Sequence, residues 1–298
     1  MFYCGFDGGA SKTEVCVIDE KGTVVKTATF GPINPNGASL ETVKSTLADC
    51  VYFMKSVCEI ENYGGLVVGI SGASNKEATK IIESTIRECG YTGKLSLKGD
   101  QEIALKGAID GAGAILIAGT GSICFGIDQN GKNFRCGGCG YLIDDDGSGY
   151  SIGIEILKAV TRAEDGRGEE TLLKSLVFEK LEVENQTGLL TWLYAKTTEK
   201  SHIAELAPLL LTAIEKGDKI AKSIVQKAAK DLVTLVTSAF KKVNLSQGEV
   251  AQVGSIFTHF DVIKTQFEEL LKAELPNVKI VKPRFSPSHG AAILAKEI

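Results

Sequence analysis

Two stretches of this chain carry the same pattern of strands and turns, and this repeat constrains the fold more than any other feature. Residues 6–22 read FDGGASKTEVCVIDEKG, and residues 117–131 read IAGTGSICFGIDQNG. Each stretch gives an apolar strand, a turn rich in Gly, Ser and Thr, a second apolar strand and an Asp-x-x-Gly turn. An internal repeat of this kind predicts two similar domains that face each other across a cleft.

The periodicity of apolar residues extends the repeat beyond the two hairpins. The first half predicts the order βββαβαβα, with strands and helices at about 2–7, 13–19, 23–30, 40–58, 65–71, 76–89, 94–99 and 101–109. The second half predicts three strands, an all-helical stretch and then matching elements at about 249–254, 258–273, 278–283 and 288–297. We therefore expect an α/β fold of two duplicated domains, with the bounds 1–112 and 113–285, a helical insertion at 148–243, and a final helix, 286–298, that packs back on the first domain.

Composition argues against several classes of protein. The chain has 298 residues, a net charge of −4 and a pI near 5.6, which argue against a nucleic-acid or anionic-membrane surface. It contains no run of eighteen apolar residues and no basic, then apolar, leader at its start. We therefore expect a cytoplasmic protein that binds a small molecule, with no nucleic-acid and no membrane partner.

The eight cysteines favour a reducing compartment. Most of them lie in apolar strand or helix patterns, where a free cysteine acts as a small core residue. Only Cys136 and Cys139, in the segment CGGC, have the spacing of a metal or redox site. A single pair is weak support for such a site, so a loop or core role stays open beside it.

The two glycine turns predict anion sites. Backbone N–H groups of a tight Gly/Ser/Thr turn can cradle an anion, and glycine lets the backbone approach closely. A third loop, VGSIF at 253–257, could face a nucleoside at a helix N-terminus. The first turn is not a Walker A loop, because Ser11 precedes Lys12 and the residues that follow alternate as a strand. A Rossmann fingerprint fails for the same reason, since the turn enters a strand and not a helix.

Acidic residues cluster where strands are predicted to end. Asp7 ends the first strand, and Asp100 ends the strand KLSLKG just before a helix. Asp144, Asp145 and Asp146 stand together before another helix start. Helix capping explains such acids in part, but three adjacent carboxylates are costly unless they bind hydroxyls, a metal or helix N–H groups.

Five segments occur in an order that resembles one known family. They are FDGGASKTEV, ISGAS, KGDQEIALKGAIDGAGAILIAGTGSICF, CGGCGYLIDDDGSGYSIG and VGSIF, and together they span nearly the whole chain. The sequence resembles the N-acetylglucosamine kinase family, in the BadF/BadG/BcrA/BcrD-type ATPase group of the actin–hexokinase superfamily. This resemblance implies two ribonuclease H-like domains of the actin/hexokinase type, and a homodimer.

The resemblance also implies roles for individual residues. The cofactors would be ATP and Mg²⁺, with Asp7 near the metal through coordinated water, and Asp100 would be the catalytic base at the 6-hydroxyl of an amino sugar. The ATP-binding residues would be Gly8, Gly9, Ser11, Lys12, Gly119, Thr120, Gly121, Gly254 and Ser255. The sugar-contacting residues would be Asn34, Ser71, Ser122, Gly138, Cys139, Gly140 and Asp145.

Three departures from the family pattern affect the expected substrate. Ala10 stands where a third glycine is common, Cys139 stands where a Trp is common, and Asp144-Asp145-Asp146 replaces Gly-Asp-Glu. A smaller side chain at 139 could admit a bulkier sugar, so glucosamine and N-acetylmuramic acid join N-acetylglucosamine as expected acceptors. Two other functions stay open: an ATPase that activates a reductase and carries an iron–sulfur cluster, and a sugar sensor without turnover.

Overall fold

The computed structural model describes residues 1–35, 37–71, 73 and 75–298. These residues form two compact units. Unit 1 comprises Met1–Asp110 and Pro283–Ile298, and unit 2 comprises Gly111–Lys282.

Unit 1 contains one mixed five-stranded sheet and its flanking helices. Its elements are β1 (Phe2–Gly8), β2 (Thr13–Asp19), β3 (Val24–Phe30), α1 (Leu40–Lys55), β4 (Tyr63–Ile70), α2 (Lys76–Glu88), β5 (Leu95–Gly99), α3 (Asp100–Ala108) and α12 (Pro287–Ala295). The strand order is β3-β2-β1-β4-β5, with β4 parallel to both β1 and β5. The carboxyl ends of β1, β4 and β5 therefore meet at one edge of the sheet, which is where α/β proteins bind ligands.

Both faces of this sheet are buried. One face packs on α1 and α2 through a core that includes Phe6, Leu47 and Ile82. The other face packs on α3 and α12, where Ile103 and Ala291 are fully buried. The chain therefore returns to its first unit at its C-terminal end.

Unit 2 repeats this sheet. Its elements are β6 (Gly113–Ala118), β7 (Ser122–Ile127), β8 (Asn133–Gly137), α4 (Gly149–Glu164), α5 (Leu173–Leu181), α6 (Gln186–Leu193), α7 (Lys200–Ala204), α8 (Leu209–Glu215), α9 (Lys219–Lys242), β9 (Gly248–Val253), α10 (Ser255–His259), α11 (Asp261–Glu274) and β10 (Val278–Val281). The strand order is β10-β9-β6-β7-β8. It is the same as in unit 1 when β6, β7 and β8 are matched to β1, β2 and β3, and β9 and β10 to β4 and β5. The predicted α/β fold with a duplicated sheet is confirmed, and the helices α4–α9 fill the predicted insertion.

The Asp-x-x-Gly turns show how close the repeat is. Asp19 Oδ1 accepts hydrogen bonds from the N–H groups of Lys21 and Thr23, at 2.8 and 2.9 Å. Asp128 Oδ1 accepts from Asn130 and Lys132 at the same two distances. The turn glycine that follows each Asp has φ of +86° or +78°, which a side chain would make costly.

One amphipathic run of the predicted all-helical stretch and one predicted helix are interrupted in the structure. The amphipathic run 202–217 is broken between α7 and α8, because Pro208 lacks an N–H and disfavours helix in the residue before it. The helix expected at about 258–273 is split at Phe260, whose backbone leaves the helical region (φ −122°, ψ 71°) while its side chain is buried. Among the described residues, no helix is long and apolar enough to cross a membrane.

Candidate active site

The first turn, residues 8–12, connects β1 to β2 in unit 1. The Gly9 N–H donates to the Lys12 carbonyl oxygen at 2.9 Å and closes the turn. The N–H groups of Ala10 and Ser11 donate to no acceptor within the described part of the chain. A Cβ at Gly8 would lie 2.4 Å from Ile33 Cδ1, so any other residue here would displace the buried Ile33 side chain. The first turn therefore offers two backbone donors to an anion.

Three acidic residues lie beside this turn. Asp7 is paired with Glu14 in the β1–β2 register, and Asp100 follows β5 at the same sheet edge. Burial raises the pKa of Asp7 to about 6; the charges of Glu14 and Asp100 add to the rise, and Lys12 opposes it. A half-buried carboxylate among like charges is a typical feature of functional sites.

Asp100 is the first residue of α3. Its Oδ1 accepts a hydrogen bond from the Gln101 N–H at 2.9 Å. Burial raises the pKa of Asp100, while this N–H and that of Asp100 itself act in the opposite direction. A carboxylate whose proton affinity is increased in this way is better suited to accept a proton.

Two predicted sugar-contacting residues are joined in unit 1. Asn34 is buried, and its Nδ2 donates to the Ser71 carbonyl oxygen at 3.3 Å. Ser71 is exposed just after β4 ends, at the sheet edge that carries Asp7 and Asp100. Gly72 and Ser74 of the ISGAS segment lie outside the described residues.

The second turn, residues 119–122, connects β6 to β7 in unit 2. The Gly119 N–H donates to the Gly121 carbonyl oxygen at 2.9 Å. The first residues of α4 support the turn, because Gly149 N–H donates to Gly119 O at 2.8 Å and Tyr150 N–H to Thr120 O at 3.3 Å. The N–H groups of Thr120 and Gly121 have no acceptor among the residues that the structure describes.

Gly254 and Ser255 lie against the second turn. Gly254 has φ of +108°, and a Cβ there would lie 2.2 Å from the Ala118 carbonyl oxygen. Ser255 Oγ lies 3.7 Å from the position that a Cβ would take at Gly119. The structure thus brings the predicted ATP-binding residues of unit 2 together.

The three consecutive acids make different contacts. Asp144 Oδ2 accepts from the Cys139 N–H at 2.9 Å, and Asp145 Oδ1 accepts from the Ser122 N–H at 3.1 Å. The Asp146 carboxylate is exposed, and its backbone oxygen accepts from Ser122 Oγ at 2.7 Å. Backbone donors therefore explain two of the three acids, which the sequence left open.

The CGGC segment forms a glycine-dependent loop. Gly138 and Gly140 have φ of +72° and +95°, and Cys139 is exposed between them. Burial and the nearby Asp144 raise the pKa of Cys136, the opposite of what activates a redox thiol. Within the described residues, no group of three or more His, Cys, Asp or Glu side chains could hold a metal ion.

Sequence reasoning missed two residues of this site. Glu14 lies opposite Asp7, and Ser288 of α12 donates to Glu14 Oε1 at 2.5 Å. The tight hairpin was the signal for Glu14, because its length fixes which residues pair. No local signal links Ser288 to Glu14, which lies 274 residues away along the chain.

Comparisons with known proteins show which family the chain resembles over its length. The sequence profile of the BadF/BadG/BcrA/BcrD ATPase family matches residues 4–295. An N-acetylmuramic acid/N-acetylglucosamine kinase from Clostridium acetobutylicum is 33% identical over 300 residues, which cover 99% of this chain and 98% of that protein. An N-acetyl-D-glucosamine kinase from Dictyostelium discoideum is 28% identical over 309 residues, covering 98% and 97%.

A solved structure from Chromobacterium violaceum shares the fold. It superposes with a TM-score of 0.74 at 22% identity and covers 99% of this chain and 98% of its own. This likeness extends over both sheets and the helical insertion, so the fold of the whole chain is one that has been observed in a crystal.

Proposed function

We propose that this chain, which belongs to the BadF/BadG/BcrA/BcrD ATPase family, is an ATP-dependent kinase that phosphorylates the 6-hydroxyl of an amino sugar. The observation that carries the proposal is the position of Asp100, a partly buried carboxylate at the sheet edge that also holds Asp7 and the first turn. Two kinases of N-acetylated amino sugars that match the full length of the chain support the substrate class.

Asp100 is the proposed general base. A sugar hydroxyl is a poor nucleophile, so a carboxylate within hydrogen-bond reach can orient it and accept its proton as transfer proceeds. The raised pKa of Asp100, caused by burial, favours this role because it increases the proton affinity of the carboxylate. Phosphoryl transfer otherwise depends on alignment and on neutralising charge.

Asp7 is the residue proposed to hold Mg²⁺, through coordinated water. Within the described residues no three His, Cys, Asp or Glu side chains could ligate a metal by themselves, so the cation would be held by Asp7 through water and by the phosphates of the nucleotide. The charges of Glu14 and Asp100 beside Asp7 favour a cation here, because it would relieve their repulsion. Mg²⁺ supplies charge neutralisation on the phosphates when it is bound.

The two turns are proposed to hold the phosphates of ATP. Each has two backbone N–H groups without a protein acceptor among the described residues, those of Ala10 and Ser11 and those of Thr120 and Gly121. In the first turn Gly8 and Gly9 would let the backbone approach the phosphates closely, and Lys12 would supply a positive charge. In the second turn Gly119 would have the role of these glycines. Gly254 and Ser255 are assigned to the adenosine.

The sugar is assigned to the residues that the family resemblance implies. They are Asn34, Ser71, Ser122, Gly138, Cys139, Gly140 and Asp145. Cys139 is exposed and small, which leaves room for a substituent such as the lactyl group of N-acetylmuramic acid. We therefore propose N-acetylglucosamine as acceptor, with N-acetylmuramic acid and glucosamine as further acceptors.

The test is a panel of sugars with ADP release as the measurement. The panel contains N-acetylglucosamine, glucosamine, N-acetylmannosamine, N-acetylmuramic acid, glucose and 6-deoxy-N-acetylglucosamine. We expect turnover with amino sugars and none with the 6-deoxy sugar. Sugar-independent ADP release by a protein with visible-range absorbance would instead support the iron–sulfur activator, and sugar binding without turnover would support a sensor.

A matched pair of variants tests the base. Asp100→Asn should bind the sugar with nearly unchanged affinity and lose roughly 10²–10⁴ in turnover. Asp49→Asn, at an exposed position on α1, removes one charge without touching the site and should keep full turnover. Near-normal turnover of Asp100→Asn would exclude Asp100 as the base. The homodimer remains a prediction, which light scattering of the purified chain would check.

A further inference from the structure

Asp145 has an unusual backbone conformation for a residue in its position. Its φ is +67°, in the left-handed region. Two other described residues that are not glycine share this property, Glu182 and Asn244, and both follow the last turn of a helix, where it is common. Asp145 instead precedes the start of α4. A backbone held in this region needs other contacts to maintain it, and such positions cluster at functional sites.

The contact that maintains it is with the second turn. Asp145 is 4% exposed, and its Oδ1 accepts the Ser122 N–H at 3.1 Å. A Cβ at Gly121 would lie 2.9 Å from each carboxylate oxygen, so the carboxylate is packed directly against the turn. The Asp145 backbone is fixed in addition, because its carbonyl oxygen accepts the Ser148 N–H at 3.1 Å.

The other backbone groups of the turn show what this contact achieves. The carbonyl oxygens of Gly119 and Thr120 accept from the first N–H groups of α4. Because the Ser122 N–H is taken by Asp145, the turn is anchored on both sides, and the N–H groups of Thr120 and Gly121 are left for an anion. A donor pair held in place before binding loses less entropy when the anion arrives.

The charge of Asp145 does not account for this arrangement. A carboxylate close to a phosphate site repels the phosphate, so its benefit to nucleotide binding has to come from geometry. An amide oxygen could accept the same N–H without that repulsion. The negative charge is then explained by the other ligand, since a carboxylate oxygen accepts a sugar hydroxyl better than an amide nitrogen could.

We propose that Asp145 is a positioning residue for the nucleotide: it holds the second turn in the conformation that binds phosphate. This inference rests on the proposed function, because it takes the second turn to be a phosphate site. It adds a nucleotide-side effect to a residue that was assigned to the sugar alone.

Three substitutions separate the possible effects. Asp145→Asn keeps an acceptor for the Ser122 N–H and tolerates a positive φ. Asp145→Gly accepts the positive φ at no cost but has no acceptor. Asp146→Asn is the matched control, because it removes an exposed neighbouring charge and leaves the backbone contact of Ser122 intact.

The probe is Mg-ADP, titrated calorimetrically into the full-length chain without sugar. We expect Asp145→Gly to weaken Mg-ADP binding about tenfold, as loss of one buried hydrogen bond to a charged group implies. Asp145→Asn should bind Mg-ADP within about twofold of the unsubstituted chain, or tighter, yet show a raised KM for the sugar. Asp146→Asn should change neither. Thermal unfolding of each variant shows that it is folded.

Two results would overturn the inference. One is unchanged Mg-ADP affinity in Asp145→Gly with a raised KM for sugar, which would make Asp145 a sugar ligand only. The other is equal loss of Mg-ADP affinity in Asp145→Gly and Asp145→Asn, which would make the charge and not the acceptor decisive. If the unsubstituted chain binds no Mg-ADP, the proposed function fails, and this inference fails with it.

Discussion

The two glycine turns occupy equivalent places in the duplicated sheets, yet their acids are arranged differently. Asp7 stands on β1 next to the first turn, and Ala118 stands at the same place on β6. The acid of the second turn, Asp145, comes from a later segment and accepts a backbone N–H. No described residue donates a hydrogen bond to the Asp7 carboxylate, and burial raises its pKa to about 6.

This difference shows how one hairpin can be adapted to two tasks. The first turn keeps its acid unsatisfied by protein donors, at a cost to stability, and so retains a carboxylate that can meet a cation. The second turn uses its acid as a structural support. Duplication supplied the same backbone donors twice, and the side chains around them distinguish the two sites.

The largest effect is expected from Gly254→Ala, which breaks the support of the second turn. The new Cβ would lie 2.2 Å from the Ala118 carbonyl oxygen, and φ of +108° is unfavourable for alanine. The backbone at Gly254 or at Ala118 would have to move. We therefore expect a loss of at least about 3 kcal/mol in the free energy of unfolding, together with loss of Mg-ADP binding.

Gly131→Ala is the control for this prediction. Gly131 also has a positive φ, +78°, but a Cβ there meets nothing within 4 Å. It should show only the cost of backbone strain, about 1 kcal/mol. Denaturant unfolding of both variants separates the cost of the clash with Ala118 from the cost of backbone strain. Equal losses in the free energy of unfolding would show that the clash with Ala118 contributes nothing.

The second prediction concerns the acid of the first turn. Asp7→Asn should raise the free energy of unfolding at pH 7.5 by about 2–3 kcal/mol, while abolishing turnover. The pKa of Asp7 is about 6 in the folded chain and 3.8 when unperturbed. The folded state therefore binds the Asp7 proton more tightly, and stability contributed by this group is present below pH 4 and lost as pH rises through 6.

Urea unfolding at pH 7.5 and at pH 4 checks the sign. The gain in unfolding free energy of Asp7→Asn over the unsubstituted chain should be largest at pH 7.5 and close to zero at pH 4. Asp49→Asn, which removes one exposed charge elsewhere in unit 1, controls for net charge. If Asp7→Asn is less stable than the unsubstituted chain at pH 7.5, Asp7 stabilises the first turn, and the contrast with Asp145 disappears.

Much of this arrangement could be predicted from sequence, because local patterns determine it. Hairpins with Asp-x-x-Gly turns are specified by neighbouring residues, so the two repeats, the order of their elements along the chain and the acids at the strand ends were predictable. The resemblance to a kinase family then suggested which turn residues bind nucleotide. Assignments such as Asn34 and Cys139 to the sugar remain predictions.

The remaining features depend on contacts between distant parts of the chain. Ser288 reaches Glu14 only because α12 returns to the first sheet, and Asp145 reaches Ser122 only because the loop before α4 folds under the second turn. A sequence shows three adjacent acids at 144–146 but not which N–H group each one meets. The break at Phe260 likewise coincides with burial of its side chain in the core of unit 2.

A third prediction tests a feature that the two hairpins share. Thr13 and Ser122 are buried at the start of β2 and β7, and each hydroxyl donates to a backbone carbonyl oxygen: Gly31 at 2.8 Å and Asp146 at 2.7 Å. Thr13→Val and Ser122→Ala should each cost about 0.5–1.5 kcal/mol, since each variant loses one hydrogen bond made by a buried hydroxyl. If the losses in unfolding free energy caused by the two substitutions differ by more than about twofold, the hydroxyl contributes differently to stability in the two units.

The smallest effect is expected from Ala10→Gly, which restores the third glycine of the family pattern to the first turn. Ala10 is exposed and is not among the residues with positive φ, so its methyl group costs the turn nothing. Glycine would increase the entropy of the unfolded chain and lower stability by about 0.4–1 kcal/mol. Because the N–H groups of Ala10 and Ser11 keep their places, the KM for Mg-ATP should stay within about twofold. A KM lowered tenfold or more would show that the alanine holds the first turn away from its best phosphate-binding conformation, and the second turn would then be the better formed of the two.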